Sequence, residues 1–281
     1  MMSEMTSLER VLPKTYETAD PREKIRVLPV DLQSSDPFHI PEIPGRRGLV
    51  LETIRGPKEK ISTALGQARL LHELANIEMQ AMELCLRTYL EYPDSPPEFR
   101  KELSELALDE ARHLELCLDG LKTFDIQFGH WPIHLHLWRT VSPKDSLLDR
   151  IVIVHRYLEA SGLDAGNQII DKLRSCGAVS IQKIMTTIHT DEIKHVDFGS
   201  KWYRELCRLE GLDPETDFPE RIEKLKVRLP KRVEKFDTKS RKLAGFLDSE
   251  IEFLQNLRDQ FVRDLEAPRK GSRAQPNDFD C

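Results

Sequence analysis

The chain carries Asp-Glu-X-X-His twice, and a glutamate precedes each copy at nearly the same distance. In the first copy, Asp109-Glu110-Ala111-Arg112-His113, Glu110 lies 32 residues after Glu78. In the second, Asp191-Glu192-Ile193-Lys194-His195, Glu192 lies 33 residues after Glu159. No other Glu-X-X-His occurs. Residues three apart on an α-helix project to the same side, so each motif offers one carboxylate and one imidazole in one direction. Glu78 and Glu159 would come in singly from two further helices. Four glutamates and two histidines in matched halves are the ligand list of a dinuclear metal site inside a four-helix bundle. Such oxygen-rich ligation suits iron or manganese better than zinc or copper.

The surrounding periodicity is helical. Over about 60–92, Leu70, Leu71, Leu74, Ile77, Ala81, Leu84 and Cys85 recur at helical spacing, and no proline intervenes before Pro93. Glu78 lies on or beside that stripe, whereas Glu73 and Glu83, five residues away, should face elsewhere. The segment 97–124 carries Phe99, Leu103, Leu106, Leu114, Leu118 and Leu121 on the face that Glu110 and His113 continue. A third helix is expected to start at Ser142-Pro143, with the serine as cap and the proline at the first helical position, and to run to about 174. A fourth covers about 177–209. The fold class is therefore all-α. Its expected parts are an irregular N-terminal arm (1–56), a four-helix bundle (57–210), a basic segment with a C-terminal helix (211–267) and a disordered tail (268–281).

A carboxylate within an apolar stripe needs a partner, because burying an unpaired charge is costly. Four that converge would repel one another unless a cation sat between them. Two plainer readings remain beside that one. Helix glutamates are mostly solvated, and a buried carboxylate–histidine network can exist without metal. Asp109 and Asp191 each lie four residues before the histidine of their own motif. There they could accept a hydrogen bond from the imidazole nitrogen that does not face the metal, or be ordinary surface aspartates.

Asp-Glu-Ala-Arg-His followed by Asp-Glu-Ile-Lys-His resembles the ferritin-like superfamily of non-haem di-iron carboxylate proteins. More closely, the chain resembles the uncharacterised bacterial DUF455 family. That resemblance is carried by residues 77–83 (IEMQAME), 158–164 (LEASGLD), 191–196 (DEIKHV) and 240–246 (SRKLAGF), and covers about residues 60–250. It implies a ferritin-like bundle with Glu78, Glu110, His113, Glu159, Glu192 and His195 as metal ligands, but it supplies no reaction.

The rest of the sequence narrows the setting. The hydrophobic share of 39% suffices for a core, and no apolar run approaches the roughly 18 residues of a membrane span. The charged N-terminus lacks a signal core, and five scattered cysteines form no Cys-X-X-Cys pair. A reducing cytoplasmic setting is expected. His130, His134 and His136 could form a second metal site, but they suit a structural loop better, with the nearby tryptophans anchoring it on the bundle end. Residues 221–242 hold ten Lys or Arg against three Asp or Glu, in a chain of net charge −6. Such a stretch can attract an anion or be a solvated amphipathic face, and nucleic acid is not expected as a partner. Residues 243–266 read as a last helix.

The expected cofactor is two iron ions, with a manganese–iron pair as the alternative. The expected function is activation of dioxygen to oxidise or hydroxylate a small organic substrate, with a reductase partner supplying electrons. Small residues at Ala81 and Gly162, each three positions after a single-ligand glutamate, would leave room for dioxygen or substrate. His155, His189 and Gln80 are placed to be proton donors or structural groups. The alternatives are a ferroxidase or metal-handling protein, a tRNA-modifying hydroxylase, and a scaffold in which metal only staples the fold.

Overall fold

A computed structural model describes residues 16–26, 40–52 and 59–266. The expected tail at 268–281 and much of the arm lie outside the described residues. Within them the chain is all-helical, and its only extended pairing is one parallel bridge between Leu51 and Ile133. After a short helix α1 (Pro21–Arg26), four long helical rods dominate. They are α2 (Ala64–Glu91), α3 (Pro97–Lys122), α5 (residues 147–175) and α6 (Val179–Glu210), with a short α4 (His136–Thr140) between the pairs. Three further helices follow: α7 (Pro214–Leu225), α8 (Thr238–Leu243) and α9 (Asp248–Glu266).

Local chemistry sets the ends. Thr63 caps α2 by accepting the Gly66 N–H at 3.0 Å, and Gly211 closes α6 in the left-handed conformation at φ 70°. The expected start of the third rod at Ser142 is corrected. Ser142 and Asp145 close a turn through a 2.7 Å bond from the Ser142 N–H to Asp145 Oδ2. Ser146 and Asp149 then form the capping box of α5. The expected last helix is interrupted at Gly245, whose φ of 78° ends the turn after α8 before α9 begins. Helix α7 was not foreseen, although Asp213-Pro214 supplies a capping carboxylate and a first-turn proline.

The third rod is not uniformly α-helical. Between Leu147–Ile151 and Ala160–Ser175 it widens into a π-helix over Val152–Glu159. Eight π-helical residues are unusual, since such turns are mostly single bulges at functional sites. Glu159 is the last of them.

The core comes in two apolar clusters. One gathers Leu71, Ala75, Met79, Leu114, Cys117, Ile170, Met185 and Ile188. The other gathers Met82, Leu84, Cys85, Leu106, Ala107, Leu158, Leu163 and Val196. On α2, α3 and α6 the boundary between them falls beside Glu78, Glu110 and His113, and Glu192, whereas on α5 it falls between Leu163 and Ile170, past Glu159. A polar layer therefore cuts the interior in two.

The C-terminal helices strap the outside of α5 and α6. Arg241 pairs with buried Asp164 at 2.6 Å, Arg221 with Asp149 at 2.6 Å and Arg228 with Asp145 at 2.7 Å. The basic stretch is thus largely engaged by acidic partners of the same chain. Glu83 does face away from Glu78, as its spacing requires, but into a buried pocket. There Lys24 at 2.8 Å and Arg46 at 2.6 Å tie the arm to α2.

Candidate metal centre

Helices α3 and α6 each present one Glu-X-X-His face inward, and the two faces meet. Glu110, His113, Glu192 and His195 place one ligand atom each within 4.8 Å of all the others, a cluster that could hold a metal ion. Both imidazoles turn Nδ1 toward it. His195 Nδ1 lies 3.0 Å from Glu110 and 3.4 Å from Glu192, and His113 Nδ1 lies 3.6 Å from Glu192 and 3.7 Å from Glu110. Glu78 comes in from α2, 3.7 Å from His113 Nδ1. Glu78, Glu110, His113 and His195 are all buried. Both Glu110 oxygens and both Nδ1 atoms lack any hydrogen-bond partner. Buried polar atoms are normally satisfied, so four orphans aimed at one point are what a cation would satisfy.

The back of each imidazole faces an aspartate, but of the other motif. His113 Nε2 approaches Asp191 to 3.5 Å, and His195 Nε2 approaches Asp109 to 3.5 Å. The same-helix pairing suggested by the sequence is corrected, because each ring reaches across the α3–α6 contact rather than back along its own helix. Arg112 joins the two aspartates, at 2.6 Å to Asp191 and 3.1 Å to Asp109. With burial opposing it, hydrogen bonding from Arg112 and Lys194 draws Asp191 down to about 2. The His195 imidazole beside it, then Arg112, lowers Asp109. Both aspartates therefore stay ionised, each facing the back of an imidazole at 3.5 Å.

Glu159 lines the same cavity as Glu78, Glu110 and Glu192, yet it is held from behind. His155, one turn earlier in the π-helix, contacts both its oxygens, at 2.8 and 2.9 Å from Nδ1. Gly199 of α6 lets the helices close here, since a Cβ at that position would sit 2.5 Å from His155 Cβ. His155 is thus an orienting group for a carboxylate, a role its sequence position left open between proton donor and structural residue. Removing such a partner typically costs 10–100-fold in metal affinity. His155→Leu is expected to weaken metal binding by about that factor while leaving the helical circular dichroism intact. Unchanged affinity in a chelator competition would refute the role.

Burial raises the Glu78 carboxyl well above its ordinary value and also raises Glu159, where His155 partly offsets it. Burial would raise Glu110 too, but His195 and His113 hold it well below the carboxylate range. Against their own burial, the surrounding carboxylates push His113 up to about 12, and Glu192 and Glu110 push His195 up as well. Protons on these groups compete with any metal ion, so affinity should rise with pH and binding should release protons.

Beside the ligands lies a cavity of about 540 Å³. Gly162 and Ala81 line it, as does His189, whose ring packs where a Gly166 Cβ would stand. Glu73 lines it too, paired with Arg69 at 2.9 Å, outside the ligand cluster. Gln80 is structural: it donates to the His134 carbonyl at 2.9 Å and accepts from the Trp138 N–H at 3.2 Å. His134 and His136 stack on each other at 4.3 Å within this loop. Trp131 lies against Arg69 and His72 of α2, and Trp138 bonds the Glu42 carbonyl of the arm.

A family profile described as "Protein of unknown function (DUF455)" matches residues 7–252. A curated protein of Haemophilus influenzae, described as uncharacterised, is 31% identical over 206 residues, which cover 70% of this chain and 71% of the relative. No solved structure matches.

Proposed function

The chain belongs to the DUF455 family, which states no reaction, and from the site itself we propose a ferritin-like dinuclear metal protein that activates dioxygen to oxidise an organic substrate. The observation that carries this reading is the set of buried, orphaned Glu110 oxygens and Nδ1 atoms of His113 and His195, gathered with half-buried Glu192 in one cluster. Glu78, Glu110, His113, Glu159, Glu192 and His195 are the proposed ligands. Two iron ions, or a manganese–iron pair, would supply the redox chemistry and the place where dioxygen binds.

The protein's part is positional. Glu110 and Glu192 come from opposite halves and face both imidazoles, so they are placed to serve either metal position. Asp109 and Asp191 would keep the Nε2 protons in place and so present Nδ1 to the metals. His155 would set the angle of Glu159. The burial of Glu78, Glu110, His113 and His195 strengthens each electrostatic contact within the layer. The cavity favours substrate oxidation over iron storage, because storage needs no apolar chamber beside the ligands. The engaged basic stretch adds no support for the tRNA-modifying alternative. A cytoplasmic protein served by a reductase fits this reading.

The test is oxygen uptake. Protein loaded with ferrous ion without air should consume dioxygen on mixing and develop a near-ultraviolet band, and the Glu110→Ala, Glu192→Ala double variant should do neither. Equal uptake by both proteins would end the proposal.

A further inference from the structure

The cavity of about 540 Å³ falls within the roughly 300–1,000 Å³ usual for small-molecule pockets. It reaches from Glu110 and Glu159 to Glu59 and Lys172 at the surface. Most of its wall is apolar, built from Ile77, Leu84, Val154, Leu158, Met185 and Ile188, with Ser161 and His189 as polar exceptions. Away from the ligands the charged residues that line the cavity balance in number. Arg69, Lys172 and Arg232 stand against Glu59, Glu73 and Glu234, with Arg232 on the flank beside Tyr157 and Ser161. At the inner end, four carboxylates would be balanced by two divalent cations. A charged group carried inward would lose its hydration against a mainly apolar wall whose few charges already balance.

We infer that the substrate is uncharged and mainly apolar over the part that reaches the metals, an aliphatic or aromatic hydrocarbon segment, and that any charged group it bears stays at the mouth. This rests on the oxygen-activation reading only for what happens at the inner end. Gly162 lines the cavity, and a Cβ there would meet nothing within 4 Å, so a larger side chain would occupy space open to ligand.

The experiment is a titration of metal-free and metal-loaded protein with straight-chain 1-alkanols from butanol to dodecanol, read by calorimetry. Affinity should rise about fourfold per added methylene until the cavity is full, then level off. In the metal-loaded protein, butylammonium and butyrate, too short to keep their charge at the mouth, should bind at least tenfold more weakly than butanol. Gly162→Leu should end the rise at a shorter chain. Gly162→Ala, for which there is room, should shift it less and serves if the leucine variant does not fold. Affinity independent of chain length, or short ions binding as well as butanol, overturns the inference. Binding is read without turnover, so the two claims fail separately. No chain-length dependence in a protein that takes up two metal ions sinks the substrate class alone. A full series in a protein that takes up none sinks the oxygen-activation reading alone.

Discussion

Ferrous ion added without air to metal-free protein is expected to raise the melting temperature by roughly 5–10 °C. A ligand at about 100 times its Kd that binds only the folded chain stabilises it by about 2.7 kcal/mol. At roughly 2–4 °C per kcal/mol for a chain of this size class, that gives the stated shift. The effect is expected to be large because Glu78, Glu110, His113 and His195 are buried together and both Nδ1 atoms and the Glu110 oxygens have no other partner. The Glu110→Ala, Glu192→Ala double variant should show no shift. A wild-type melting curve indifferent to ferrous ion would count against any metal in this layer.

Glu250→Ala is expected to cost about 3–5 kcal/mol of folding stability, because removing one partner of a buried ion pair leaves the other charge uncompensated. Arg156 is fully buried within the π-helix, and its guanidinium meets Glu250 of α9 at 2.7 Å. The rings of Tyr203, Phe218 and Phe246 surround it at 4.4–4.8 Å. Its Nε and Nη1 have no hydrogen-bond partner, so Glu250 is its main polar support. Replacing both residues by leucine should recover much of the loss, since apolar substitutes for a buried pair are often neutral or stabilising. A denaturant midpoint unchanged by Glu250→Ala would refute this. The pair also ties the C-terminal strap to the segment that ends at Glu159, so the single variant should weaken metal binding as well.

The features legible in the sequence were those that repeat locally. Glu110 and His113, or Glu192 and His195, need only helical spacing to share a face, and the doubled offset singles them out without any knowledge of packing. The all-helical class and the extent of the long rods followed from apolar periodicity in the same way. What depended on distant partners was not legible. Val152–Glu159 reads as ordinary amphipathic helix, and its wider turn goes with the close approach of Gly199 to His155 across the α5–α6 contact. The crosswise pairing of Asp109 with His195 and Asp191 with His113 depends on how α3 meets α6. Arg221, Arg228 and Arg241 read as part of a solvated or anion-attracting stretch because Asp149, Asp145 and Asp164 lie 72, 83 and 77 residues away. Ser142 and Ser146 each stand three residues before an aspartate, and nothing local says which of them starts the helix.

The most direct measurement is metal content per chain after purification without air, on wild-type protein and the Glu110→Ala, Glu192→Ala double variant side by side. About two iron ions, or one iron and one manganese, in the wild type and a near-complete loss in the variant is the expected result, given six carboxylate and imidazole donors in two matched halves. A folded wild-type protein that contains no metal and takes up none from added ferrous ion would contradict the account.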